Sequence, residues 1–168
     1  PAGSGTFDIE LDFLSHELRA RTSWGECDAF PLEDLSVAGC YWRLMELLAS
    51  FGIQPAIRAV PFDLEPGTPF PDDEDHATYD RSAVERYFTI LRFSDQALQA
   101  FAGRFTGKQS PAHLFWHSFD LALGRYSGRR APDLPDADNV TREAYSHEVI
   151  AVGFWAGDDN VPAPAYYC

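Results

Sequence analysis

Residues 110–157 hold most of the side chains whose types could do chemistry together. The stretch reads SPAHLFWHSFDLALGRYSGRRAP, then an acidic proline-rich loop, then TREAYSHEVIAVGFWAG, and it carries three of the five histidines and two of the four tryptophans. Polar groups embedded among aromatic and aliphatic residues cost free energy unless they are paired, so a cluster of unlike ones needs an explanation. The candidates for ligand binding are Trp116, Ser118, Asp120, Arg125, Tyr145, His147 and Glu148. No catalytic residue is assigned.

Each chemistry these residues could support has a plainer competitor. His113 and His117 are four apart, and His147, Asp120 and the acidic run Asp72–Asp75 could complete a metal shell. No compact ligand motif is present, so neither a metal nor a cofactor is expected. Ser118, Asp120 and His147 are the residue types of a nucleophile triad, but no glycine-rich elbow exposes the hydroxyl. Arg125, Arg129, Arg130 and Arg142 offer guanidinium forks that suit a carboxylate or phosphate ligand. The competing role for them is neutralising Glu143, Glu148 and the acidic loop. Trp116, Tyr126, Tyr145 and Trp155 either line an aromatic pocket or pack a core.

The elements that must position these groups follow from hydrophobic period. Phe7, Ile9, Leu11 and Phe13 alternate with acidic residues, which predicts a half-buried strand. A turn at 15–17 leads to a second strand through Leu18, Ala20 and Thr22, and Gly25 marks another turn of a meander. Over 36–51 the period becomes helical, with Ser36 as N-cap and Gly52 just past the end. Ile57–Leu64 reads as a short strand. Residues 65–80 form an acidic, proline-rich loop with a solvated face, and a helix over 81–103 follows, capped by Asp80. Residues 112–126 read as one strand, residues 143–155 as another, and a last strand covers 163–168. Strands outnumber helices and rarely alternate with them. The expected class is α+β, a largely antiparallel sheet with two main helices packed on it.

Parity gives the expectation for the site. If 112–126 and 143–155 pair antiparallel with apolar faces matched, Phe115, Phe119, Leu121 and Leu123 lie with Ile150, Val152 and Phe154. Trp116, Ser118 and Asp120 then neighbour Tyr145 and His147 on the opposite face. Arg125 and Glu148 share the other face, where an ion pair is expected.

Composition sets the outer limits. The 168 residues are expected to form a single domain and carry a net charge of −13. That charge argues against nucleic acid and against anionic membrane surfaces as partners. The three cysteines have no zinc spacing and read as reduced thiols of a cytoplasmic protein. Pro1 and the apolar ending AYYC suggest a chain lacking an N-terminal segment of the full-length protein. The oligomeric state is not legible.

The strings HLFWHSFDLALGRYSGRRAP and TREAYSHEVIAVGFW resemble an uncharacterised bacterial protein family, a domain of unknown function. FDLEPGTPFPDDEDHATYD and VERYFTILRF are similar to the same family, so the resemblance runs from about Phe7 to the end. It implies no reaction and no assigned catalytic residues. Its members carry a further Trp-rich N-terminal segment, and Gly at the position of His117, so no mechanism using both His113 and His117 is implied.

Two functional readings stand. One is a protein that binds a small anionic or polar ligand, or an enzyme, with a polar and aromatic pocket on the C-terminal strands. The other is a structural or protein-interaction module in which the same polar groups only tie strands together.

Overall fold

The computed structural model describes residues 5–61, 67–116 and 118–168. It is an α+β structure with two antiparallel sheets, of three and four strands. The chain forms two compact units, Pro1–Phe88 and Thr89–Cys168.

In the first unit β1 (Phe7–Asp12), β2 (Glu17–Thr22) and β3 (Cys27–Pro31) form a meander in that order. Leu11 pairs with Leu18 and Leu18 with Phe30, so one face of all three strands is apolar. The acidic positions of β1 look the other way and meet arginines of β2: Arg21 bonds Glu10, and Arg19 bonds Asp12 at 3.3 Å. Helix α1 (Val37–Ser50) starts where Ser36 Oγ accepts the Gly39 amide at 3.0 Å. Gly52, at φ +74°, lies just beyond its end. Leu47 and Leu48 of α1 form the core with Leu18, Ala20, Leu32 and Ile53.

The acidic loop does more than face water. After a 3-10 turn at Phe70–Asp72, the carbonyls of Asp73 and His76 accept the Ala38 and Val37 amides, at 2.9 and 3.0 Å. Ser36 Oγ donates to Glu74 at 2.5 Å. Helix amides without intrahelical partners are thereby satisfied, with negative charge at the positive end of the helix. Asp73 also accepts from the His76 ring at 2.8 Å. That bond holds His76 above the ordinary histidine range and Asp73 below the ordinary carboxylate range. A raised histidine contributes stability below its unfolded pKa and loses it as pH rises through the folded value. A depressed carboxylate contributes above its unfolded pKa and loses it as pH falls. The pair is therefore expected to hold the loop best in mildly acidic solution. NMR titration of Asp73→Asn should return His76 toward about 6.5; an unmoved titration would mean the bond is not formed in solution.

The expected strand at Ile57–Leu64 needs correction. Residues 57–61 form no strand; Val60 N bonds Arg58 O at 2.9 Å in a tight turn instead. Residues 62–64 lie outside the described residues. The alternation there was too short, and too close to Pro61, to carry a ladder.

Helix α2 (Arg81–Ala102) begins at Asp80, whose carboxylate accepts the Ala83 amide at 3.1 Å. In the second unit the four strands lie in the order β4 (His113–Phe115), β5 (Asp120–Arg130), β6 (His147–Trp155), β7 (Ala165–Tyr167). A short helix, α3 (Asn139–Ala144), precedes β6, with Asp138 as its N-cap. The single strand expected over 112–126 is therefore two strands joined by a hairpin turn, and His117 lies outside the described residues. The strand expected over 143–155 begins only at His147. Leu121 pairs with Phe154 and Leu123 with Val152, as parity predicts; Phe115 and Phe119, expected on the same buried face, are instead 44% and 43% exposed, in β4 and in the turn after it. On this face Ser94 of α2 meets the Tyr166 hydroxyl at 2.9 Å. Arg125 donates to Phe101 O at 2.7 Å, and its guanidinium lies 3.5 Å over the Phe101 ring. The C-terminal half of α2 thus covers the apolar face of the sheet.

Candidate functional site

The β4–β5 turn concentrates the polar and aromatic groups. Phe119 N bonds Phe115 O at 2.8 Å, and Phe119 sits at φ +58°. A bulky residue in the left-handed region costs about 1 kcal/mol or more, so the surroundings must hold it there. They do so from two strands. Trp155 of β6 donates its indole N–H to Ser118 O at 3.1 Å. The Tyr167 hydroxyl of β7 donates to Asp120 Oδ2.

Asp120 is 9% exposed. Its other oxygen accepts the Ser118 hydroxyl at 2.5 Å. Burial, then the hydrogen bond to this carboxylate, push the Tyr167 phenol well above the ordinary tyrosine range, with Tyr145 adding a smaller push. Tyr167 therefore stays a neutral donor. It reaches Asp120 because its cross-strand partner is Gly153, and a Cβ there would stand 2.7 Å from the phenol oxygen. Ala122, opposite Gly153, and Gly124 keep this face of the sheet shallow, and the Tyr126 ring folds back over Gly124.

Of the residues expected to form the site, Trp116, Ser118 and Asp120 come together in the turn, and Tyr145 is close enough to influence Tyr167. The rest do not join them. His147 pairs with Arg130 at the far end of β5. Asp120 is the first residue of that strand, ten positions from Arg130 with a register shift between, so His147 is not its cross-strand neighbour. The expected Asp120–His147 neighbourhood is therefore overturned. Parity alone does not fix position along a ladder, and antiparallel strands set the start of one beside the end of the other. The expected Arg125–Glu148 ion pair does not form either. Glu148 takes Ser127 at 2.6 Å and Arg129 at 2.8 Å, which together hold its carboxyl below the ordinary range. Arg125 closes the end of α2, and Arg142 donates to the Ala137 carbonyl at 3.0 Å. The arginines are thus spread over separate tasks.

Tyr167 is the member of the cluster that sequence reasoning missed. Its signal was the set of small residues Ala122, Gly124 and Gly153 in otherwise aromatic strands, which mark a face where a ring lies close to the backbone.

A family model matches residues 1–168. The chain belongs to a family of unknown function, DUF5996. No curated protein and no solved structure matches it. Among the described residues, no helix is long and apolar enough to cross a membrane.

Proposed function

We propose that this DUF5996 chain binds a small, polar, ring-bearing ligand at the β4–β5 turn. One observation carries the reading. A nearly buried carboxylate, Asp120, opens β5 directly after the turn, beside Phe115, Trp116 and Phe119, which are 44%, 64% and 43% exposed. Large rings that keep this much exposure in a hairpin turn favour recognition as well as packing. A ring could stack on these aromatics, and a hydroxyl or amino group could donate to the lone pairs of Asp120 not taken by Ser118 and Tyr167. Among the described residues no cationic side chain is ion-paired with Asp120, so an anionic ligand is disfavoured. This narrows the ligand to a neutral or cationic one. The free cysteines Cys27, Cys40 and Cys168 support a cytoplasmic setting for this binding.

The structural reading also has an observation behind it: both hydroxyls that touch Asp120 are partners from the chain itself. One experiment separates the two. NMR titration with adenosine, glucose and inorganic phosphate is expected to move the Trp116 indole and the Ser118 and Asp120 amides with adenosine or glucose, and not with phosphate. Trp116→Ala and Asp120→Asn should each weaken that binding at least about tenfold, roughly the loss of one good hydrogen bond or stacking contact. Asp120→Ala should cost about 1–3 kcal/mol by leaving two hydroxyls unpaired. A stability loss in Asp120→Ala with no shift from adenosine or glucose would make the cluster a structural clamp and end the ligand reading.

A further inference from the structure

His16 is 1% exposed, the least exposed ionisable side chain among the described residues. It occupies the β1–β2 turn at φ +59°. The turn is fixed around it: Asp12 Oδ1 accepts the Leu14 and Ser15 amides at 2.9 and 3.2 Å. The His16 carbonyl accepts the Leu32 amide at 2.9 Å. A left-handed backbone and a buried ring are two costs at one residue, and both ring nitrogens are engaged. Nδ1 is 2.9 Å from the Tyr79 hydroxyl, and Nε2 is 3.3 Å from Glu85 Oε1. An ionised carboxylate only accepts, so Nε2 carries the hydrogen toward Glu85. The Nδ1 lone pair then receives the Tyr79 O–H.

The resulting order is hydroxyl, imidazole, carboxylate, which is the order of roles in an activated hydroxyl with its base and orienting acid. Tyr79 packs against the core of the first unit while remaining partly exposed. Burial holds its phenol above the ordinary range, with Glu33 and Glu85 adding and Arg81 opposing. Arg81 is itself engaged by Glu33 through two bonds, at 3.1 and 2.5 Å.

We propose that Tyr79, His16 and Glu85 form a proton-transfer site for an uncharged, hydroxyl-bearing substrate. The substrate O–H gives its proton to Tyr79 Oη while the Tyr79 proton moves to His16 Nδ1. This leaves an alkoxide and an imidazolium that Glu85 steadies; the reverse movement restores both. Glu33 and Glu85 near the phenol disfavour an anionic substrate, and Arg81 beside them is already paired with Glu33.

N-acetylimidazole tests the relay without a known substrate. Tyr79 Oη attacks the acetyl carbon, the carbon–nitrogen bond of the reagent breaks, the phenol proton passes to His16, and imidazole leaves after taking a proton from solvent. Peptide mass spectrometry should find Tyr79 acetylated at least about tenfold faster in the native protein than in His16→Asn, since Asn tolerates the left-handed backbone. Glu85→Gln, at an exposed carboxylate, should slow it several-fold and shift its pH profile while the protein stays folded. Equal Tyr79 rates in the native protein and Glu85→Gln, or in the native protein and a folded His16→Asn, would overturn the proposal and leave a structural hydrogen-bond network.

Discussion

Leu123→Ala is expected to cost about 2–5 kcal/mol. Leu123 is 1% exposed at the middle of β5, paired with Val152, and belongs to the apolar face that also buries Leu121 and Phe154. Truncation removes methyl groups from a place where β5 is held by the ladder to β6 and, one residue before, by the end of the ladder to β4. The backbone cannot close on the cavity, so both the transfer and the cavity contributions are felt. Domains of this kind are stable by about 5–15 kcal/mol in all, so the loss is a large share of the total. Urea unfolding should show the midpoint falling steeply at an unchanged slope. A change under about 1 kcal/mol would mean that the helix-covered face is not packed as described.

Gly153→Ala is the second large effect, and it links packing to the candidate site. A Cβ at this position would stand 2.7 Å from the Leu121 carbonyl oxygen and 2.7 Å from the Tyr167 hydroxyl. The phenol could swing away, but the carbonyl belongs to the β5 backbone and can move only if the β5–β6 ladder opens. Overpacking of this kind costs about 1–3 kcal/mol. Displacing Tyr167 from Asp120 removes a hydrogen bond to a carboxylate and adds about 1.5–3 kcal/mol at most. Two readouts check this. The melting temperature should fall, and the Tyr167 phenol should titrate closer to the ordinary tyrosine range in ultraviolet difference spectra. A Gly153→Ala protein as stable as the parent, with Tyr167 still suppressed, would contradict the close approach of these two strands.

Two of the three non-glycine residues at positive φ among the described residues bear on function as well as on stability. His16 and Phe119 both hold positive φ, and each lies in a hairpin turn fixed by bonds from other elements. In both turns a side chain is kept where glycine would be easier, one ring inward against Tyr79 and one outward at the turn surface. Replacing either with glycine would relax the backbone and remove the group that the turn presents, so strain and candidate function are tied together at each site.

Much of the local structure was determined by sequence alone. Ser36 and Asp80 announce two helices because each can accept amides that the first helical turn leaves unpaired. Leu121 and Leu123 set the facing of β5 against Phe154 and Val152, because a period-two apolar set must bury one face. What the sequence could not carry was anything set by distance along the chain. The break at 116–119 was hidden because aromatic residues continue the alternation straight through the turn, and turn residues such as Gly or Asn are absent from it. Parity put Asp120 and His147 on plausible faces but not at a shared point, since ladder position depends on where the strands end. His16 gave no signal at all: a lone histidine in a turn becomes a buried one only when Tyr79 and Glu85, more than sixty residues later, close over it. Tyr167 meets Asp120 for the same reason, across a glycine whose missing side chain matters only once β6 and β7 are paired. Local pattern is written in neighbouring residues, whereas these contacts depend on the backbone bringing distant residues together.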